Sequence, residues 1–240
     1  MPTDTATIAT LPRRVLNRLR KPPVGWVRFG SLRRLEPVSR YYGWDRGRPI
    51  DRYYIETFLA AHRELITGAV LEIGERTYTE RFGHNVHRAD MLHVCDADEA
   101  TYVADLTDAP NVPSGSYDCV ILTQTLQMIF DLDAAVRTLA RILKPGGTLL
   151  CTVPGISQVA DGDWNHTWYW SLTPRAATRL FTPHFSSERL EVQAFGNVLS
   201  ATAFLQGLAD RELRPRELDA ADPEYPVIVA IAARTDDAGR

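Results

Sequence analysis

Cysteine is scarce in this chain of 240 residues: Cys95, Cys119 and Cys151 are an odd number, far apart, and set in or beside strand-like runs. That excludes a disulfide framework and a zinc-binding cysteine cluster, and fits free thiols in a reducing compartment. No run of 18 apolar residues is present, which excludes a helix spanning a bilayer, and the first residues lack the apolar core of a signal peptide. A soluble, cytoplasmic protein is therefore expected. No G-x-G-x-x-G follows the first apolar strand, which argues against a nicotinamide-dependent oxidoreductase. Internal repeats and low-complexity segments are absent apart from the weak tail "RTDDAGR".

What is present is enough for one sizeable domain. The hydrophobic fraction is 45% and the charged fraction 24%, so a full core can be buried, and a second complete domain is not expected. The net charge of -3 is uneven. Nine lysines and arginines lie between Leu11 and Arg40 against a single acid, Glu36, so a basic extension precedes an acidic body. Such an arm can meet phosphate-bearing substrates, anionic membranes or nucleic acid, or fold back on the body. Pro22-Pro23 interrupts any helix there and no nucleic-acid fold signature accompanies the charge, so nucleic acid is not an expected partner.

From residue 50 the pattern alternates helix and strand. Tyr54, Ile55, Phe58, Leu59 and Leu65 fall near helical spacing within 51–65, and Gly68 closes that element. Strands are predicted at 69–73, 85–89, 101–106 and, most clearly, at 117–123 in "YDCVILT". An amphipathic helix follows over 133–143, and "KPGG" at 144–147 ends it, glycine supplying a left-handed turn. "TLLCTVP" is a fifth strand, Thr173-Pro174 opens a helix to residue 181, and strands at 189–195 and 225–233 flank a helical stretch at 199–213. The expected fold is α/β: a Rossmann-like, doubly wound, mostly parallel sheet with ligands at the carboxyl ends of its strands. The domain limits read as 1–49 for the basic extension, 50–235 for the body and 236–240 for a tail.

The succession "VLEIG", "VADLTD", "SYDCVILTQTLQMI" and "RILKPGGTLLCTVPG" resembles the class I S-adenosylmethionine-dependent methyltransferases over roughly residues 50–235. Upstream, "GWDRGRPIDRYYIETFL" is similar to a bacterial subgroup met near glycosyltransferases and in specialised-metabolite pathways. The resemblance implies a seven-stranded sheet with a reversed last strand, S-adenosylmethionine as cofactor and a small-molecule acceptor such as a sugar. It also implies roles for particular residues. Glu72 and Gly74 would lie under the cofactor's amino-acid end, Asp90 would accept from the ribose, and Asp105 would stand beside the adenine with Leu106 as an apolar cover. Thr123 and Gln124 would line the sulfur end, with Gln127 a polar neighbour.

This chain departs from that pattern where the glycine loop should continue. In acid-x-Gly-x-Gly-x-Gly, the second and third glycines are Arg76 and Tyr78. An Arg76 guanidinium about 5 Å from the sulfonium would be repelled by about 3 kcal/mol at an effective dielectric near 20; aimed at the cofactor's carboxylate it would be a clamp, and a pair with Glu80 is the plainer reading. Tyr78 either faces the sulfonium or fills space. Residues 78–83 leave room for little more than one helical turn, and 91–100 is too short for a comfortable crossover helix.

Substrate contacts are expected in "GISQVADGDWNHTWYWSLT", which concentrates Asp161, Asp163, Trp164, Trp168, Tyr169 and Trp170. His166 is the candidate general base, and the flat rings can stack on an acceptor or anchor the loop. Asp45, Arg46, Arg48, Asp51 and Arg52 form either a charged lid or a self-satisfied cluster, and Tyr53 and Tyr54 are candidates for lid or core. Two functions of different class follow: a methyltransferase acting on a hydroxyl, or a scaffold of that fold whose cofactor loop has degenerated.

Overall fold

The computed structural model describes residues 21–159 and 166–237. Two units divide at Glu36 and Pro37. In the first, a short turn at Gly30–Leu32 is followed by Arg33, whose guanidinium lies 5.5 Å from the ring centre of Phe29. Arg13, Arg14, Arg18 and Arg20 of the basic extension lie outside the described residues.

The second unit carries seven strands: β1 (Gly68–Ile73), β2 (Val86–His93), β3 (Tyr102–Val103), β4 (Tyr117–Thr123), β5 (Leu143–Pro154), β6 (Leu190–Phe195) and β7 (Ile228–Arg234). Their order is β3-β2-β1-β4-β5-β7-β6. The first five are parallel, and β7 runs antiparallel to both β5 and β6. The strand order reverses between β1 and β4, which opens a crevice at their carboxyl ends.

The helices are α1 (Ile50–Ala61), α2 (Thr77–Phe82), α3 (Leu132–Ile142), α4 (Pro174–Phe181), α5 (Val198–Leu205) and α6 (Pro215–Leu218). Apolar residues on both faces of the central strands are covered by two layers, as buried parallel sheets require. On one face Leu71, Leu122 and Leu149 pack with Leu139, Ile142 and Phe181; on the other Val70, Cys119 and Ile121 pack with Tyr54, Phe58 and Phe204. The starts of α3 and α4 are fixed by side chains: Asp131 accepts from Ala134 N at 3.0 Å and Thr173 from Ala176 N at 3.2 Å.

Several boundaries differ from the sequence reading. β2 continues to His93 rather than stopping at residue 89, because Met91 and Leu92 are buried beside Glu72 and Ile73. β3 shrinks to two residues, and the helix expected to residue 213 ends at Leu205. "KPGG" does not cap α3. The helix ends at Ile142, Leu143 is already extended, and Gly146 (φ +74°) takes the left-handed turn inside a bulge between the pairs Tyr117↔Leu143 and Cys119↔Thr148. The shortened crossovers are as expected: α2 has six residues and no helix joins β2 to β3.

Candidate active site

A cavity of about 960 Å³ opens over the carboxyl ends of β1, β2, β3 and β4. Its floor is the loop after β1. Gly74 sits at φ +91°, its N–H donating to Leu92 O at 2.9 Å, and a Cβ there would meet nothing within 4 Å. Glycine is thus required by the backbone angle rather than by crowding. Glu72 is buried and faces this loop, where its carboxylate accepts from Tyr78 N (3.1 Å), Thr79 N (2.7 Å) and Thr79 Oγ1 (2.7 Å). It anchors the start of α2. Burial pushes its carboxyl above the ordinary value, and these hydrogen bonds oppose that rise.

Neither bulky residue plugs the floor. Arg76 does not line the cavity, contrary to its expected place there, and does not pair with Glu80; its Nη2 binds Glu99 Oε2 at 2.8 Å, while its buried Nε has no hydrogen-bond partner among the described residues. Tyr78 does line the cavity, with its ring stacked on Phe82 at 6.2 Å between centres and its hydroxyl accepting from Arg52 Nη1 at 3.3 Å.

Asp90 requires correction. It lies opposite Leu71 in mid-strand, accepts from Tyr117 Oη at 2.6 Å, forms an ion pair with Arg88 Nε at 3.2 Å, and is not a cavity residue. Since β2 runs on, its carboxyl end brings Leu92, His93 and Val94 to the wall instead. Asp105 lines the cavity and is exposed, its Oδ1 accepting from Thr107 N at 2.8 Å. Leu106 is shared between cavity and core. Thr123 is on the wall, but Gln124 turns away at φ +49° toward Thr152 Oγ1 (3.4 Å), leaving Thr125 in its place. Gln127 is buried behind it; its amide donates to Gln124 O at 2.8 Å and its Oε1 has no hydrogen-bond partner among the described residues.

The mouth is aromatic. Phe130 packs edge-on against Tyr169 at 5.4 Å, and Trp170 Nε1 donates to Ile129 O at 3.0 Å, so this loop is both anchored and presented to the cavity. Tyr169 and Thr167 line the wall; His166 is exposed and does not, and neither does the half-buried Trp168. The candidate base is therefore not at the cavity. Asp161, Asp163 and Trp164 lie outside the described residues.

Tyr53 and Tyr54 are also not cavity residues. Tyr54 is buried and donates to Leu218 O at 3.0 Å; Tyr53 donates to Asp219 Oδ1 at 2.5 Å, a bond that, with burial, pushes its phenol up to about 12. Trp44, Arg48, Arg52, Glu56 and Arg81 also line the wall. Arg48 pairs with Glu56 and Asp210, both at 2.5 Å, and Arg81 with Glu56 at 2.6 Å. Sequence reasoning left Trp44, Glu56, His93, Thr125 and Phe130 out of the site. The four-residue spacing of Arg52 and Glu56 on α1 was a usable signal, whereas nothing local marks Phe130. Among the described residues, no group of three or more His, Cys, Asp and Glu side chains could hold a metal ion.

A parallel sheet with a reversed seventh strand and a cavity at its switch point defines the Rossmann-like methyltransferase fold. The model of a methyltransferase-domain family matches residues 40–197, and the chain belongs to that family, among the class I S-adenosylmethionine-dependent methyltransferases. A methyltransferase of Claviceps purpurea is 46% identical over 59 residues, 25% of this chain and 18% of that protein, so the shared stretch spans under a fifth of the relative. An S-adenosylmethionine-dependent methyltransferase from Mesorhizobium loti superposes with a TM-score of 0.52 at 17% identity, covering 77% of this chain and 99% of the other. The Haemonchus contortus phosphoethanolamine N-methyltransferase 2, in complex with S-adenosyl-L-methionine, gives 0.50 at 16% identity over 83% and 60%. At these identities the two structures speak for the fold.

Proposed function

We propose that this chain transfers a methyl group from S-adenosylmethionine to a small acceptor, an oxygen of a sugar or specialised metabolite, in the cytoplasm of a bacterium. The observation that carries this reading is the open cavity over Gly74 and Asp105, whose floor Arg76 has vacated for Glu99. Its volume suits a nucleoside-sized cofactor together with a small acceptor. The bound cofactor would supply an electrophilic methyl on a sulfonium.

The chain's own residues bind and orient. Gly74 lets the backbone approach the ligand, Asp105 offers a carboxylate to donors at the adenine end, and Leu106 with Val94 gives that end apolar cover. Glu72 acts on the loop through α2 and is a positioning residue. Thr123, Thr125 and Tyr169 are the polar groups nearest the remaining space, and Phe130 with Tyr169 offers the acceptor a flat surface and excludes water. In this reading residues 50–235 carry the methyltransferase domain, 1–49 a basic extension contributing Trp44 and Arg48 to a lid, and 236–240 a tail.

Calorimetry with S-adenosylmethionine and S-adenosylhomocysteine tests it. Binding is expected, weakened about tenfold by Asp105→Ala through loss of a charge-assisted hydrogen bond. Silence at millimolar ligand would instead favour the second reading, a scaffold of this fold that no longer transfers methyl groups. The three hydrogen bonds that Glu72 gives to holding α2 and the replacement of two loop glycines support that alternative.

A further inference from the structure

Among the arginines on and beside the cavity wall, Arg52 differs from the rest. Arg48, Arg76 and Arg81 each have a carboxylate oxygen within 2.8 Å. Arg52 is half-buried on α1 and lines the cavity, yet among the described residues no carboxylate pairs with its guanidinium within 4.0 Å. It makes one side-chain hydrogen bond, from Nη1 to the Tyr78 hydroxyl at 3.3 Å, and stands 5.9 Å from the Trp44 ring centre. A guanidinium has five N–H donors, so most of this fork is unused by the protein. Asp51, its neighbour in sequence, gives Oδ1 to Arg52's own backbone N at 2.7 Å, is buried, and is not a cavity residue. Glu75 on the same wall accepts from Thr77 Oγ1 at 2.9 Å.

Asp51 and Glu75 act on the guanidinium through space without occupying its donors, and a planar fork with unused donors is matched by a carboxylate better than by any neutral group. We propose that Arg52 is the anion-reading group of this cavity, taking a carboxylate from either the amino-acid end of the cofactor or the acceptor. Trp44 and Tyr78 hold the guanidinium beside the loop that carries Gly74, and Met128, Ile129 and Phe130 give the cavity an apolar side. The ligand set therefore includes one carboxylate, with an apolar or aromatic body if the acceptor carries it. The acceptor arm rests on the methyl-transfer reading; the charge preference itself does not.

The test uses the full chain with Arg52→Gln and Arg52→Lys, each checked by thermal melting. S-adenosylhomocysteine and 5′-methylthioadenosine, which lacks the amino-acid carboxylate, are titrated in turn, followed by benzoate and benzamide on protein saturated with S-adenosylhomocysteine. If the cofactor supplies the anion, Arg52→Gln loses about tenfold or more in S-adenosylhomocysteine affinity and nothing for methylthioadenosine, and Arg52→Lys recovers part. If the acceptor supplies it, both nucleoside affinities stay as in the wild type, while wild-type binding of benzoate over benzamide disappears in Arg52→Gln.

Unchanged affinity for all four probes, or equal losses for both nucleosides, overturns the proposal. Should the wild type bind neither nucleoside, the methyl-transfer reading fails instead, and the benzoate-to-benzamide comparison on the free protein still decides for or against Arg52. If Arg52→Gln does not fold, Arg52→Lys carries the same comparison, because an ammonium keeps the charge and loses the fork.

Discussion

The two sides of the sheet are built by different means. On the side of β4, β5 and α3, apolar burial dominates: α3 buries Ala134, Ala135, Val136, Thr138, Leu139 and Ile142, and β5 is buried without a break from Gly147 to Pro154. On the side of β2, β3 and α2, α2 buries only Thr79, β2 is largely half-exposed, and β3 is two residues long. What holds α2 is the Glu72 carboxylate, the Arg81–Glu56 ion pair and the half-buried rings of Tyr78 and Phe82 at the edge of the core. The lesson is that a sheet can spend most of its hydrophobic residues on one half and lean on polar anchors in the ligand half, where the crossover helices are short or missing.

The sharpest way to break this contrast is a pair of core truncations. Leu139→Ala, at a fully buried position, should cost about 3 kcal/mol in urea unfolding, whereas Phe82→Ala on half-exposed α2 should cost about 1 kcal/mol. Equal costs would show that the ligand half is core-limited after all.

Next in size is Glu72→Ala. Loss of three accepted hydrogen bonds at a buried site should destabilise the protein by about 2 kcal/mol, with S-adenosylhomocysteine affinity falling as the loop relaxes. Full stability combined with lost affinity would instead make Glu72 a direct ligand contact.

The smallest effect concerns Asp118, which joins the two halves: its Oδ2 accepts from Ala69 N at 2.8 Å and from Lys144 Nζ at 2.7 Å. Burial raises its carboxyl, but Lys144 and the Ala69 N–H pull it further down, leaving it below the ordinary value. A depressed carboxyl contributes stability above its unfolded value, near pH 4, and loses it as the pH falls through the folded value. Asp118→Asn should flatten that acid limb by less than about 1 kcal/mol, since the side chain is 35% exposed. An acid limb identical to the wild type's would remove Asp118 from the account.

Legibility in the sequence followed the same division. β4 was readable residue for residue because "YDCVILT" is one unbroken buried run, and α4 because Thr173 and Pro174 mark its start chemically. In β2, Arg88, Asp90 and His93 interrupt the apolar pattern, so the strand read as ending too early. That error carried Asp90 into the site when its partner is Tyr117. Arg76 was misplaced because its partner Glu99 is 23 residues away on a loop with no periodic signal. Gln124 was misplaced because a positive φ at a non-glycine residue leaves little trace in composition.

The wall beside Arg52 is fastened from far along the chain. Asp210 N donates to Arg48 O at 2.9 Å, Pro49 bridges Ala209, and Arg46 pairs with Glu212 at 2.5 Å. The match to the methyltransferase-domain family ends at residue 197, before this clasp and before β7. A protein cut there would keep five parallel strands but leave Arg46 and Arg48 without their distant anchors. The anchors of this wall thus lie beyond the residues that the family match covers.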